Sequence, residues 1–231
     1  MRKVSKISLL FQEIYLSKGT IISLIISNLI LIVASIFFSF KLNNEYYFNY
    51  DKIHNEYLST MYTLLIIISS FNIIFMVMNE AKGNNSSIDS MLESSLGRKR
   101  IILSKYIAYM KIVVFESVIS YLAIIIPPYF FYKLFKIDNV IYLYYLLSLI
   151  EILAISLFIA HLFKNYFSLS VLVIYILIKM IIKKEELSFV IPLSIFKDNG
   201  IIIESPMYYL SFFIVSFFIF DYIIYNFQEH R

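Results

Sequence analysis

Cysteine and tryptophan are absent from this 231-residue chain, glycine and proline occur four times each, and only 16% of residues are charged. The missing cysteine excludes disulfides, thiolate metal sites and a cysteine nucleophile. The three histidines, His54, His161 and His230, lie far apart and include no pair with metal-ligand spacing. A strong excess of one charge is lacking too. The formal net charge is +4 and its carriers are scattered, which fits the basic bias of loops beside a membrane and not a nucleic-acid surface.

What the chain has instead is apolar length. Hydrophobic residues make up 60% of it, whereas a soluble domain carries about 45–50% apolar and about 25% charged residues. Whole stretches of about twenty residues carry no charge, so their side chains face lipid rather than one shared core. The sequence predicts an all-α integral membrane protein, a single transmembrane domain over 1–231.

A bilayer core about 30 Å thick needs roughly 20 apolar residues in a helix. Segments 20–40 and 57–79 meet this without a charge. Segments 106–132 and 139–163 meet it if Glu116 and Glu151 are tolerated. Segment 166–182 is shorter, with Lys179 placed to snorkel, and 205–227 closes a set of six with Asp221 near its end. Gly19, Gly83, Gly97 and Gly200 all fall outside these spans, where turns and helix ends want glycine. Pro127 and Pro128 sit inside the third span and should kink its second half.

An even number of spans puts both ends on one side. Arg2, Lys3, Lys6 and Lys18 precede the first span and only Lys41 and Lys52 follow it, so both ends are expected to be cytoplasmic in a multi-pass protein of the cell membrane. The charged start resembles that of a signal peptide, but no small-residue cleavage site follows the first apolar run, which is expected to stay in the mature chain. Residues 3–18 mix Ile7, Leu10, Phe11 and Ile14 with Lys3, Lys6, Glu13 and Lys18, a pattern suited to a helix lying in the inner headgroup layer.

The longest cytoplasmic connection, 80–105, carries the most information about function. Ser86 and Asp89 approximate a capping box, Ile88, Met91, Leu92 and Leu96 recur at helical spacing, and Gly97 supplies a stop. Arg98, Lys99 and Arg100 follow. A short amphipathic helix over 86–96 is therefore expected. Two or three turns are unstable alone in water, so this helix needs a surface, either the membrane or a groove on a cytoplasmic partner.

Segment 71–112 resembles the permease subunits of ABC exporters of the type-two group. The matching positions are Glu80 at the end of the second span, Gly83, the 86–96 helix, Ser94 and Ser95, the basic triplet Arg98-Lys99-Arg100, Ile101-Ile102-Leu103 and Lys105. Where that family often has a proline after the serines, this chain has Leu96-Gly97. The resemblance implies a coupling helix whose partner-binding residues are Glu80, Gly83, Ile88, Met91, Leu92 and Leu96. It also implies a separate ABC ATPase subunit that holds ATP and magnesium, because no Gly-x-x-x-x-Gly-Lys-Ser/Thr loop occurs here. No cofactor is expected on this chain and none of its residues is expected to be catalytic. A second permease copy or paralogue would complete the pathway. Small permeases of this layout resemble bacterial systems that expel amphipathic or antimicrobial peptides, lantibiotic-immunity systems among them.

Charges inside lipid are costly and tend to face a bundle interior. Glu151 and Glu116 are the two intramembrane candidates, either lining the pathway or fixing helix packing through polar contacts. Asp221 and His161 read as interfacial residues at span ends. The 20 Tyr and 22 Phe suit interface belts and lipid-facing helices. Three rival readings remain open. An ion-coupled carrier would use Glu116 and Glu151. An intramembrane protease would use His161-Leu162-Phe163-Lys164-Asn165, similar to the His-x-x-x-Asn element of CAAX-type proteases, with Glu185-Glu186, but Val190 stands where that family has arginine. The third is a membrane scaffold without transport.

Overall fold

The computed structural model describes residues 18–45, 50–81, 98–132, 139–182, 195–197, 200–202 and 207–227. These residues form six helices: α1 (Lys18–Glu45), α2 (Tyr50–Ala81), α3 (Arg98–Tyr132), α4 (Asn139–Phe163), α5 (Tyr166–Ile182) and α6 (Met207–Phe227). The helices expected over 3–18 and 86–96 lie outside the described residues, apart from Lys18.

Four helices are long and apolar enough to cross a membrane, α1 over Gly19–Phe40, α2 over Asn55–Met78, α3 over Arg100–Phe130 and α4 over Asn139–Phe163. The expected runs at 166–182 and 205–227 form α5 and α6, which are apolar but shorter, 17 and 21 residues. Several helices overrun their apolar stretches. α1 takes in Lys41, α2 begins seven residues before Tyr57, and α3 begins at Arg98, so the basic triplet forms the first turn of α3.

The fold is not purely helical. Ile195–Lys197 (β1) and Gly200–Ile202 (β2) pair antiparallel, with Ile195 opposite Ile202 and Phe196 opposite Ile201, and β1 packs beside α2. This hairpin falls in the segment between α5 and α6.

α2 and α4 form the centre of the bundle, each with 61% of its apolar window buried, and α1 lies at the edge with 11%. Ile22, Ile25, Phe37, Phe130, Phe167 and Phe212 project outward and are more than half exposed. Such a continuous apolar exterior is untenable in water and natural in lipid. Some buried serines answer to their own helices, as Ser39 does to the Ser35 carbonyl and Ser156 to the Ile152 carbonyl.

The helices run alternately up and down. Residues near the ends of α2, α4 and α6 meet residues near the start of α3, and at the opposite end α1, α2 and α3 meet around Ile124. This second junction explains how α3 carries two prolines. Pro128 has no N–H, so the Ile124 carbonyl four residues earlier loses its helical donor. Tyr57 of α2 donates its hydroxyl to that carbonyl, and Ser35 of α1 adds a second bond at 3.3 Å. Helical structure continues through both prolines to Tyr132.

Between α4 and α5 only Lys164 and Asn165 intervene. Lys164 adopts a left-handed conformation (φ 48°), and its N–H reaches the Ala160 carbonyl at 3.0 Å, which closes α4. Asn165 Oδ1 then accepts the Phe167 N–H at 3.1 Å and opens α5. The reversal holds the end of α4, and with it His161, against its neighbours.

Candidate functional site

Among the described residues, two buried polar sites lie inside the bundle, one near the ends of α2 and α3 that flank segment 82–97 and one deeper. Glu80, the penultimate residue of α2, meets Lys105 of α3, with Nζ 2.9 Å from Oε2 and both side chains 5% exposed or less. Tyr109, one turn on, donates to Glu80 Oε1 at 3.2 Å. The ends flanking segment 82–97 are thereby tied together by an ion pair away from solvent. Lys105 also lies 5.9 Å from the centre of the Tyr225 ring of α6.

His161 and Asp221 complete the cluster. His161 Nδ1 lies 2.7 Å from Asp221 Oδ1, and its Nε2 faces Glu80 Oε2 at 3.6 Å. The hydroxyl of Tyr106 donates to the other oxygen of Asp221. The Tyr225 ring meets His161 edge to face at 5.2 Å. Asp221 is wholly buried and His161 is 7% exposed. Both residues thus face into the bundle near the helix ends, each with an ionisable partner on another helix. Four helices, α2, α3, α4 and α6, contribute to one charged knot.

The deeper site centres on Asn72, eight residues and so about 12 Å along α2 from Glu80. Its amide nitrogen donates to Glu116 Oε1 of α3 and to Ser27 Oγ of α1, both at 2.8 Å, and its oxygen accepts from Ser23 Oγ at 2.9 Å. Ser120 donates to Asn28 Oδ1 at 3.0 Å, Ser69 pairs with Tyr145 at 2.7 Å, and Ser117 pairs with Tyr142 at 3.1 Å. These bonds join α1, α2, α3 and α4 across an otherwise apolar interior. The Glu116 side chain is answered by another helix's amide, a polar contact that joins α2 and α3.

Glu151 sits at the midpoint of the 25-residue α4 and is fully buried. Gly83, Ile88, Met91, Leu92 and Leu96 lie outside the described residues. Glu80, grouped with them from the sequence, faces inward and braces the base of their segment. Sequence reasoning missed His161, Asp221, Tyr106 and Tyr109 as partners. The usable signal was depth: Glu80, Lys105, His161 and Asp221 all fall at the same level of an up-and-down bundle.

Among the described residues, no group of three or more His, Asp or Glu side chains is arranged to hold a metal ion. A groove of about 640 Å³ opens between α4, α5 and α6, walled by Ile155, Phe158, Val171, Leu172 and Phe217, with Asn165 and Ser168 at its rim. Compared with known proteins, the chain matches no family model and no curated protein.

Proposed function

We propose that this chain is the permease subunit of an ATP-driven exporter, in which six helices cross the cell membrane, both termini face the cytoplasm and the chain supplies half of the translocation pathway. Its partners are an ABC ATPase subunit, which binds ATP and magnesium, and a second permease copy or paralogue. The observation that carries this reading is the buried Glu80–Lys105 pair at 2.9 Å. A segment that receives force from a docked motor must be anchored at both ends, and this pair anchors both ends of 82–97 to α2 and α3. The cluster then ties that anchor to α4 and α6, so a push on the segment has a stiff route into the bundle. Cargo of this permease is an amphipathic or antimicrobial peptide or another hydrophobic compound, in keeping with the apolar groove between α4, α5 and α6.

The test is gentle extraction of tagged protein from its native membrane, followed by identification of what copurifies. An ATPase in near-equal amount, lost when Leu92→Asp is introduced, is the expected result. Its absence across several detergents overturns the reading.

A second reading, an ion-coupled carrier, is favoured by one observation: Glu116 and Glu151 are both buried within the bundle, Glu116 inside a polar network. It requires no ATPase, and its transport collapses with the proton or sodium gradient.

A further inference from the structure

Lys111 stands on the outer surface of α3, a helix long and apolar enough to cross a membrane. It is exposed, and around it on that surface are the exposed apolar side chains Ile107, Val114, Phe115 and Val118. A cation facing lipid is costly unless it reaches an anion or water. The carboxylates of the spans do not supply the anion. Glu116, five positions on, turns inward to Asn72, and Glu80, Glu151 and Asp221 are buried too. Glu56 belongs to the opposite end of the bundle, next to Tyr57, which meets Ile124. Among the described residues, then, no carboxylate pairs with Lys111.

Arg100 shares this face. It is exposed and lies eleven residues back, which is three turns and about 16 Å. Arg100, Ile107, Lys111, Val114 and Val118 follow steps of seven, four, three and four, the spacing of one helical stripe. Lys111 is six residues, about 9 Å, past Lys105, which belongs to the charged knot near the helix ends. Side chains on a helix tilt toward its start, so the long Lys111 stem can carry its charge back toward Arg100 and that end of the bundle. A groove of about 610 Å³ runs along the same face, walled by Ile107, Met110, Val114, Phe115 and Val118, with Lys111 in its lining.

We infer that this face of α3 is a binding site for one anionic phospholipid. Lys111 holds the phosphate, Arg100 attracts the headgroup from the helix end, and one acyl chain lies over Val114, Phe115 and Val118. The layout has the polarity of such a lipid: positive charge toward the end of the helix, apolar wall toward the membrane interior. A second copy of this chain fits less well, because its span carboxylates Glu80, Glu116, Glu151 and Asp221 turn inward and offer Lys111 no anion. A zwitterionic lipid brings its own cation and leaves the two basic groups without a net counter-charge. The site requires that α3 crosses the bilayer, and it does not depend on an ATPase partner.

The sequence has no tryptophan, so Val118→Trp places a sole indole beside the acyl chain, at an outward position that is 42% exposed. The full chain with this substitution is reconstituted in mixed vesicles of phosphatidylglycerol and phosphatidylcholine, with one lipid or the other carrying brominated chains that quench the indole on contact. Brominated phosphatidylglycerol is expected to quench more at equal mole fraction, by a preference of roughly fivefold, the effect of one cation beside an anionic headgroup. Lys111→Gln is expected to remove the preference and Lys111→Arg to keep it. Arg100→Gln is expected to reduce it, and serves as the test if Lys111→Gln fails to insert. Ile219→Trp, outward on α6, is expected to show no preference, and excess inorganic phosphate is expected not to compete. Equal quenching by the two lipids at Val118→Trp overturns the proposal, as does a preference that survives Lys111→Gln. An equal preference at Ile219→Trp overturns it too, by revealing general attraction to a basic protein. Displacement by inorganic phosphate would mean a free-phosphate site, and weak quenching by both lipids would mean that protein covers this face; either result also overturns it.

Discussion

Asn72 and Tyr57 show how single polar side chains hold helices together where water cannot help. The Asn72 side chain bonds to two other helices, twice to α1 and once to α3. Asn72→Leu should therefore destabilise the bundle by roughly 1–3 kcal/mol, because Glu116 is left without its donor in a buried site. Glu116→Gln keeps an acceptor oxygen toward Asn72 and should cost less. Chemical unfolding in mixed micelles compares the two, and equal losses would argue against the Asn72–Glu116 bond as the main contact. Tyr57→Phe removes the donor to the carbonyl that Pro128 releases, and a loss of about 1–2 kcal/mol is expected in the same assay. Tyr57→Phe in a Pro128→Ala background should be nearly silent, since the helix then supplies its own donor. None of these pairings was legible from the sequence. Glu116 could be flagged as costly in lipid, but nothing in a linear pattern says that Asn72, 44 residues earlier, lies opposite it.

At the scale of elements, helices α4 and α5 match the apolar runs read from the sequence because the Lys164-Asn165 break separates two predominantly apolar stretches. Helices α1, α2 and α3 run beyond the apolar spans read from the sequence, since hydropathy finds where a membrane begins and not where hydrogen bonding stops. The Lys164 turn offers a clean check. A non-glycine residue at φ 48° carries strain of about 1–2 kcal/mol. Lys164→Gly should be neutral or mildly stabilising, and Lys164→Val should destabilise, as read by thermal unfolding in detergent. The Glu80–Lys105 pair predicts a stronger, non-additive pattern. Lys105→Met alone should cost about 3–5 kcal/mol by leaving a buried carboxylate without its cation, while Lys105→Met with Glu80→Gln should recover much of that loss. Additive losses in this double-mutant cycle would mean that the two residues do not act as a pair.

For the whole molecule, the membrane character was plain in the sequence because it is a bulk property: 60% hydrophobic residues and an outward face of Ile and Phe are two views of one fact. The site was legible only in part. Glu80 and Lys105 stood out through resemblance, while His161 and Asp221 looked like span-end residues until the up-and-down order brought four helix ends to one level. That order puts the charged knot beside the two helix ends that flank segment 82–97, the segment to which the proposed exporter reading assigns docking of the motor. The most direct measurement is transport into inverted membrane vesicles that contain this chain and its copurifying partner, with a labelled amphipathic peptide as cargo. The exporter account predicts uptake that requires ATP hydrolysis, persists when ionophores collapse the proton and sodium gradients, and is lost in Met91→Asp vesicles that still contain the inserted chain. Uptake that continues without ATP and disappears with the ionophores would contradict it.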